Sequence, residues 1–225
     1  MIRRKTNSMG DKTADITEAL TDEHAKNGRK QKGRTVKRDT SVPDKPLDQD
    51  RDAMERNMRH EKKVGKALAP PRSGCNCHGY TFDKGTSQIS EADVFKKILP
   101  DNYKQVENKK VRICDVVVYG VGNEVPDHSG LVVEVAADGT PAKIVSKWGP
   151  TGGVFIHAPE DYGSGKNKVD DWDVYRRKQE PEGLEHLRDA YDNAVKNRGT
   201  SSADAHEKAR ALCQTKNALS RRKWL

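Results

Sequence analysis

Ten of the twelve aromatic residues lie between residues 73 and 178, and none lies in residues 1–72. Aromatic side chains supply the largest buried areas of a small core, so the core must form in that central stretch. Charge divides the same way. Residues 1–72 carry 19 Lys and Arg against 12 Asp and Glu, a net of +7. Residues 73–178 carry 14 against 15, and residues 179–225 carry 9 against 7. The overall net charge of +8 on 225 residues therefore belongs to an N-terminal arm. That placement disfavours a nucleic-acid enzyme, because the part able to fold is near neutral.

The chain is 33% hydrophobic and 34% charged, with no run near the ~18 apolar residues of a membrane span. No charged-then-apolar N-terminus suggests a secretory signal. Collagen-like, coiled-coil and transmembrane readings are excluded. Four cysteines are too few for a disulfide-stapled scaffold, and without a signal peptide they are expected as free thiols.

Residues 1–72 read as a basic arm, largely disordered or helical, with helices expected at Asp11 to Ala25 and Asp48 to Ala69. Lys26 to Arg38 has Val36 as its sole apolar residue and cannot offset its ordering entropy by burial. Ser41 to Pro46 reads as a stiff linker and Ala69 to Gly74 as a boundary. Residues 73–178 read as one α+β domain. Ser90 caps a helix with Asp93 at its third position, and Pro100 is expected to end it. Strands are expected at Val111 to Tyr119, His128 to Val135, Ala142 to Trp148, Val154 to His157 and Trp172 to Arg177, with a turn at Asp138-Gly139. A helix followed by strands without alternation predicts an antiparallel, meander-like sheet. Residues 179–225 carry two amphipathic patterns, expected to pack as a helical hairpin.

Cys75-Asn76-Cys77-His78-Gly79-Tyr80 carries the densest chemistry. A cysteine at a helix start is favoured as thiolate by the helix dipole, and its pKa is expected to be depressed. The unpaired first-turn N–H groups, those of Cys77 and His78, can receive an oxyanion. Such a thiol needs a base and a group to orient that base. His128 begins a strand straight after a polar loop, where an imidazole can face a cleft.

Asn76-Cys77-His78-Gly79-Tyr80 resembles the Asp/Asn-Cys-Ser-Gly-Phe/Tyr nucleophile motif of the NlpC/P60 cysteine peptidases. Cys114-Asp115-Val116-Val117-Val118-Tyr119 is similar to their Gly-Asp-Leu-Val-Phe-Phe strand, and His128-Ser129-Gly130-Leu131-Val132 to their base-bearing His-Val-Gly-Ile-Tyr strand. The three motifs occur in family order and cover about residues 73–178. The resemblance implies a papain-like core, with a Cys-bearing helix before an antiparallel sheet, that hydrolyses amide bonds, most often in peptidoglycan stem peptides. It extends to amidase effectors of bacterial type VI secretion, which are small and lack a signal peptide. On that reading the chain is an antibacterial toxin made in the cytoplasm and secreted by a non-Sec route into a target cell's periplasm. An immunity protein and a secretion-apparatus component are its expected partners, and no cofactor or metal is needed. His78 stands where the family has serine, and Cys114 where it has glycine.

The third catalytic residue stays open. Strand alternation puts Ser146 and Trp148 on one face, which offers Ser146. His157, in Phe155-Ile156-His157-Ala158-Pro159, resembles the family's Ile-His-Ala wording one strand late. A Cys77–His128 dyad without a third member is the remaining option. Cys75, Cys114 and Cys213 are expected to be small buried residues. A rival reading makes Cys75, Cys77, His78 and Cys114 zinc ligands of a binding module whose basic arm docks on a polyanion. Another keeps the thiol enzyme but gives it a cytosolic protein as substrate, as a protease or deamidase.

Overall fold

The computed structural model describes residues 13–17, 35–47, 50–120, 127–162, 171–181 and 183–218. Its centre is a six-stranded antiparallel sheet in the order β4-β9-β5-β6-β7-β8. The strands are β4 (Tyr103–Val106), β5 (Val116–Tyr119), β6 (His128–Val135), β7 (Pro141–Lys147), β8 (Val154–His157) and β9 (Trp172–Arg177). β5 to β8 form the expected meander. β9 departs from it, returning to pair with both β4 and β5. A mixed α+β architecture follows, with both sheet faces buried.

Alternation along the strands separates two cores. Val116, Val118, Leu131, Val133 and Val145 point to one side, where the helices pack. Val117, Tyr119, Val132, Ile144 and Val174 point to the other. On the first side lie α2 (Cys77–Phe82) and the C-terminal hairpin of α5 (Glu185–Arg198) and α6 (Ala203–Asn217). The hairpin is held by Cys213 of α6, which forms a disulfide with Cys114, corrected here from the expected free thiols. Ala209 and Leu212 of α6 join the same core, so the cysteine sits on the helix's buried face. The His206 ring lies 2.8 Å from Glu134 of β6 and fastens the other end of the hairpin.

Pro100 does not end its helix. α3 (Glu91–Asp93), capped by Ser90, runs through a π-helical turn at Val94–Ile98 into α4 (Leu99–Asn102). A proline has no N–H to donate and crowds the carbonyl four residues back. The wider turn relieves that conflict without breaking the helix.

The N-terminal arm is more structured than its composition suggests. β2 (Thr35–Asp39) pairs with β3 (Gln88–Ile89) and with β1 (Thr13–Thr17). Thr13–Thr17 is thus a strand where a helix was expected, in keeping with its β-branched Thr13, Ile16 and Thr17. Residues 11, 12 and 18–25, which hold the rest of that expectation, lie outside the described residues. Val36 is buried in the core, and Arg38 forms a buried ion pair with Asp83. The expected linker and boundary zip together: Pro46 bridges to Arg72, and the Arg72 guanidinium holds Asp44 at 2.8 Å. The helix expected over Asp48 to Ala69 is present as α1 (Arg51–Val64), capped by Asp50. Residues 68 and 69 then bond to Val154 and cover the free edge of β8. Among the described residues, no helix is long and apolar enough to cross a membrane.

Candidate active site

Cys77 opens α2 because Asn76 caps it. The Asn76 Oδ1 accepts from the Gly79 N–H at 2.8 Å, and its amide joins the backbone of Ile89 on β3 at 2.7 Å. Gly79 is required here, since a Cβ would stand 1.7 Å from the Ser87 carbonyl oxygen. α2 is pinned to the start of β6 by its own side chains. The His78 Nδ1 lies 2.9 Å from Ser129 Oγ, and that hydroxyl bonds Thr81 at 3.0 Å. His78 is therefore a buried strut between the helix and the sheet.

His128, the first residue of β6, is fully buried on the sheet face opposite to Ser129. Its ring stacks on Tyr162 at 3.7 Å and 6°. Tyr119 flanks the pair and donates its hydroxyl to Pro159 O at 2.8 Å. Among the described residues, neither His128 nitrogen has a hydrogen-bond partner. Burial, with His157 and His78 nearby, holds its pKa well below the usual histidine range.

The Cys77 thiol is also buried. The expected depression of its pKa is reversed, because burial pushes it up to about 12. The backbone of Ser129 and of His78 acts in the opposite direction and is outweighed. Burial likewise raises Cys75, with Lys147 and Arg72 opposing. The Tyr162 phenol, whose ring stacks on His128, is raised by burial and secondarily by Cys77. Cys77 and His128 are both anchored at the start of β6, the first through the bond from its neighbour His78 to Ser129 and the second as the first residue of the strand, with no hydrogen bond between them.

Ser146 and His157, the two alternatives for the third residue, are bonded to each other. Ser146 Oγ stands 2.8 Å from His157 Nε2, and the His157 Nδ1 is 2.7 Å from Ala158 O. That carbonyl can only accept, so Nδ1 carries the proton and Nε2 accepts from the serine. Neither side chain bonds His128. Trp148 packs edge-on to His157 at 5.2 Å.

Two features were not visible in the sequence. Tyr162 lies in a short turn after β8 with no periodic pattern to mark it. Lys147 is buried, its ammonium donating to the carbonyls of Gly149, Pro150 and Gly152 at 2.9, 3.0 and 2.9 Å. It fixes the turn that carries Trp148. The zinc reading loses a ligand, because Cys114 is bonded to Cys213. Among the described residues, no group of three His, Cys, Asp or Glu is arranged to hold a metal ion. Comparisons with protein-family models, curated proteins and solved structures return no significant match.

Proposed function

We propose that the chain is a cysteine hydrolase of amide bonds with a papain-like, NlpC/P60-type core, acting on peptidoglycan stem peptides as an antibacterial effector. The observation that carries this reading is His128: a fully buried imidazole whose two nitrogens have no partner among the described residues, at the start of the strand whose next residue, Ser129, is bonded to the helix that Cys77 opens. A buried polar group without a partner is destabilising by about 1–3 kcal/mol. Such groups are retained where they serve chemistry.

In the reaction, the Cys77 Sγ attacks the amide carbonyl carbon as its proton passes to His128. The tetrahedral oxyanion is received by first-turn N–H groups, those of Cys77 and His78. His128 then returns the proton to the leaving amine, and the acyl-thioester is hydrolysed by water with His128 as base. In the resting state both groups are neutral, a protonated thiol and an uncharged imidazole. On this reading the Tyr162 ring stacked on His128 is the cover that substrate displaces. His157, locked in one tautomer, and Ser146 support the wall behind the pair.

Two further observations favour the reading. Cys114 stands where the family has glycine, and its φ of 73° is the left-handed conformation that glycine adopts readily. The Cys114–Cys213 disulfide suits an oxidising compartment. It thereby favours a periplasmic substrate over a cytosolic one. Peptidoglycan digestion by the wild type but not by Cys77→Ala is the test.

A further inference from the structure

A cavity of about 270 Å³ opens where the turn before β5, the end of β9 and the C-terminal hairpin meet. Its wall holds five cationic side chains, Arg112, Arg176, Arg177, Arg188 and Lys216, against two carboxylates, Glu180 and Asp192. Three of the cations are already matched. Arg176 binds the buried Asp115 at 2.8 Å, while Arg188 and Lys216 share Glu180 at 2.6 and 2.9 Å. Hydrogen bonds from Lys216 and Arg188 pull Glu180 down to about 2.

Arg112 and Arg177 remain. Among the described residues, neither is paired with a carboxylate. Arg177 donates to the Ala218 carbonyl at 3.1 Å and lies over the Tyr103 ring, which fixes its direction. Ile113, Leu212 and Cys114 supply an apolar wall, and a low-dielectric wall strengthens the field of the cations. The walls are also locked together. The disulfide joins Cys114 to α6, and Asn217 donates to the Cys114 carbonyl at 2.8 Å. A site fixed in advance loses little freedom when it is filled.

We propose that this cavity binds a compact multivalent oxyanion of phosphate or carboxylate type, with Arg112 and Arg177 as its main ligands. Glu180 is the internal anion that holds the far side of the site. A guanidinium pair matches the paired oxygens of either group. Binding bridges the sheet and the hairpin, so it raises the melting temperature with ligand concentration. The proposal does not depend on the hydrolase reading.

The test uses the full chain, with inorganic phosphate and citrate as separate probes at constant ionic strength. Isothermal titration and thermal melting are read together, and the two probes distinguish phosphate from carboxylate preference. Saturable binding of at least one probe is expected in the wild type. It should weaken by about tenfold or more in Arg112→Glu, and stay within about twofold in Arg59→Glu, an equal charge change on α1. A second measurement needs no variant: the bound probe should slow phenylglyoxal modification of Arg112 and Arg177 but not of Arg59. Absence of saturable binding for both probes overturns the proposal. Equal weakening in the two variants, or unselective protection, overturns it as well.

Discussion

Asn76 and Gly79, the residues that frame Cys77, are each explained by local structure. One caps α2 and joins it to β3; the other admits the Ser87 carbonyl. The motif was legible because these demands are local, yet they would exist without catalysis. The burial of the thiol was not legible, since it depends on β6 meeting α2 from a distant part of the chain. Gly79→Ala should destabilise by on the order of 4 kcal/mol or abolish folding, as chemical denaturation would show. Cys77→Ala should leave the fold intact and remove activity, whereas Cys75→Ala should keep most of it. Because burial raises Cys77 to about 12, iodoacetamide should label it slowly in the native wild type. Tyr162→Ala should speed that labelling by about tenfold or more, in proportion to the opening of the site. An unchanged rate would count against Tyr162 as the cover. Burial also lowers His157 to about 4, so between that pH and about 6.5 the unfolded chain binds more protons than the folded one. Stability is therefore full above pH ~6.5 and declines as pH falls, by on the order of 3 kcal/mol from this residue. Melting curves should show that decline, and His157→Gln, whose amide oxygen can still accept from Ser146, should reduce it.

Among the elements, β6, β8 and β9 run between the very residues expected from their apolar and β-branched patterns. Runs of that kind belong to central strands and read clearly. β2, β3 and β4 were missed because short, charged segments such as Thr35–Asp39 gain their order from a partner strand rather than from their own pattern. The hairpin of α5 and α6 was legible from its periodicity, but its disulfide was not, since Cys114 and Cys213 are 99 residues apart. A cross-link over so long a loop should stabilise the fold by about 2–5 kcal/mol. Urea unfolding of the wild type with and without reductant should differ by that amount, and Cys213→Ala should resemble the reduced protein. Four titratable thiols in the native, unreduced protein would contradict the pairing.

At the scale of the whole molecule, the first 72 residues read in the sequence as a basic arm outside the core. The described part of them instead completes it. Val36 and Arg38 are buried, and His60 of α1 packs on Trp148 at 4.4 Å, at the wall of the candidate site. A chain beginning at Ala69 should therefore fail to reach the native fold, with loss of near-UV circular dichroism. The proposed activity is amide cleavage in cell-wall peptides by Cys77 and His128. Its most direct test is the muropeptide profile of purified peptidoglycan after incubation with the full-length wild type, with Cys77→Ala and with His128→Ala. New stem-peptide fragments with fresh amino termini are expected from the wild type and none from either variant. Fragments produced equally by Cys77→Ala, or a profile that folded wild type leaves unchanged, would contradict it.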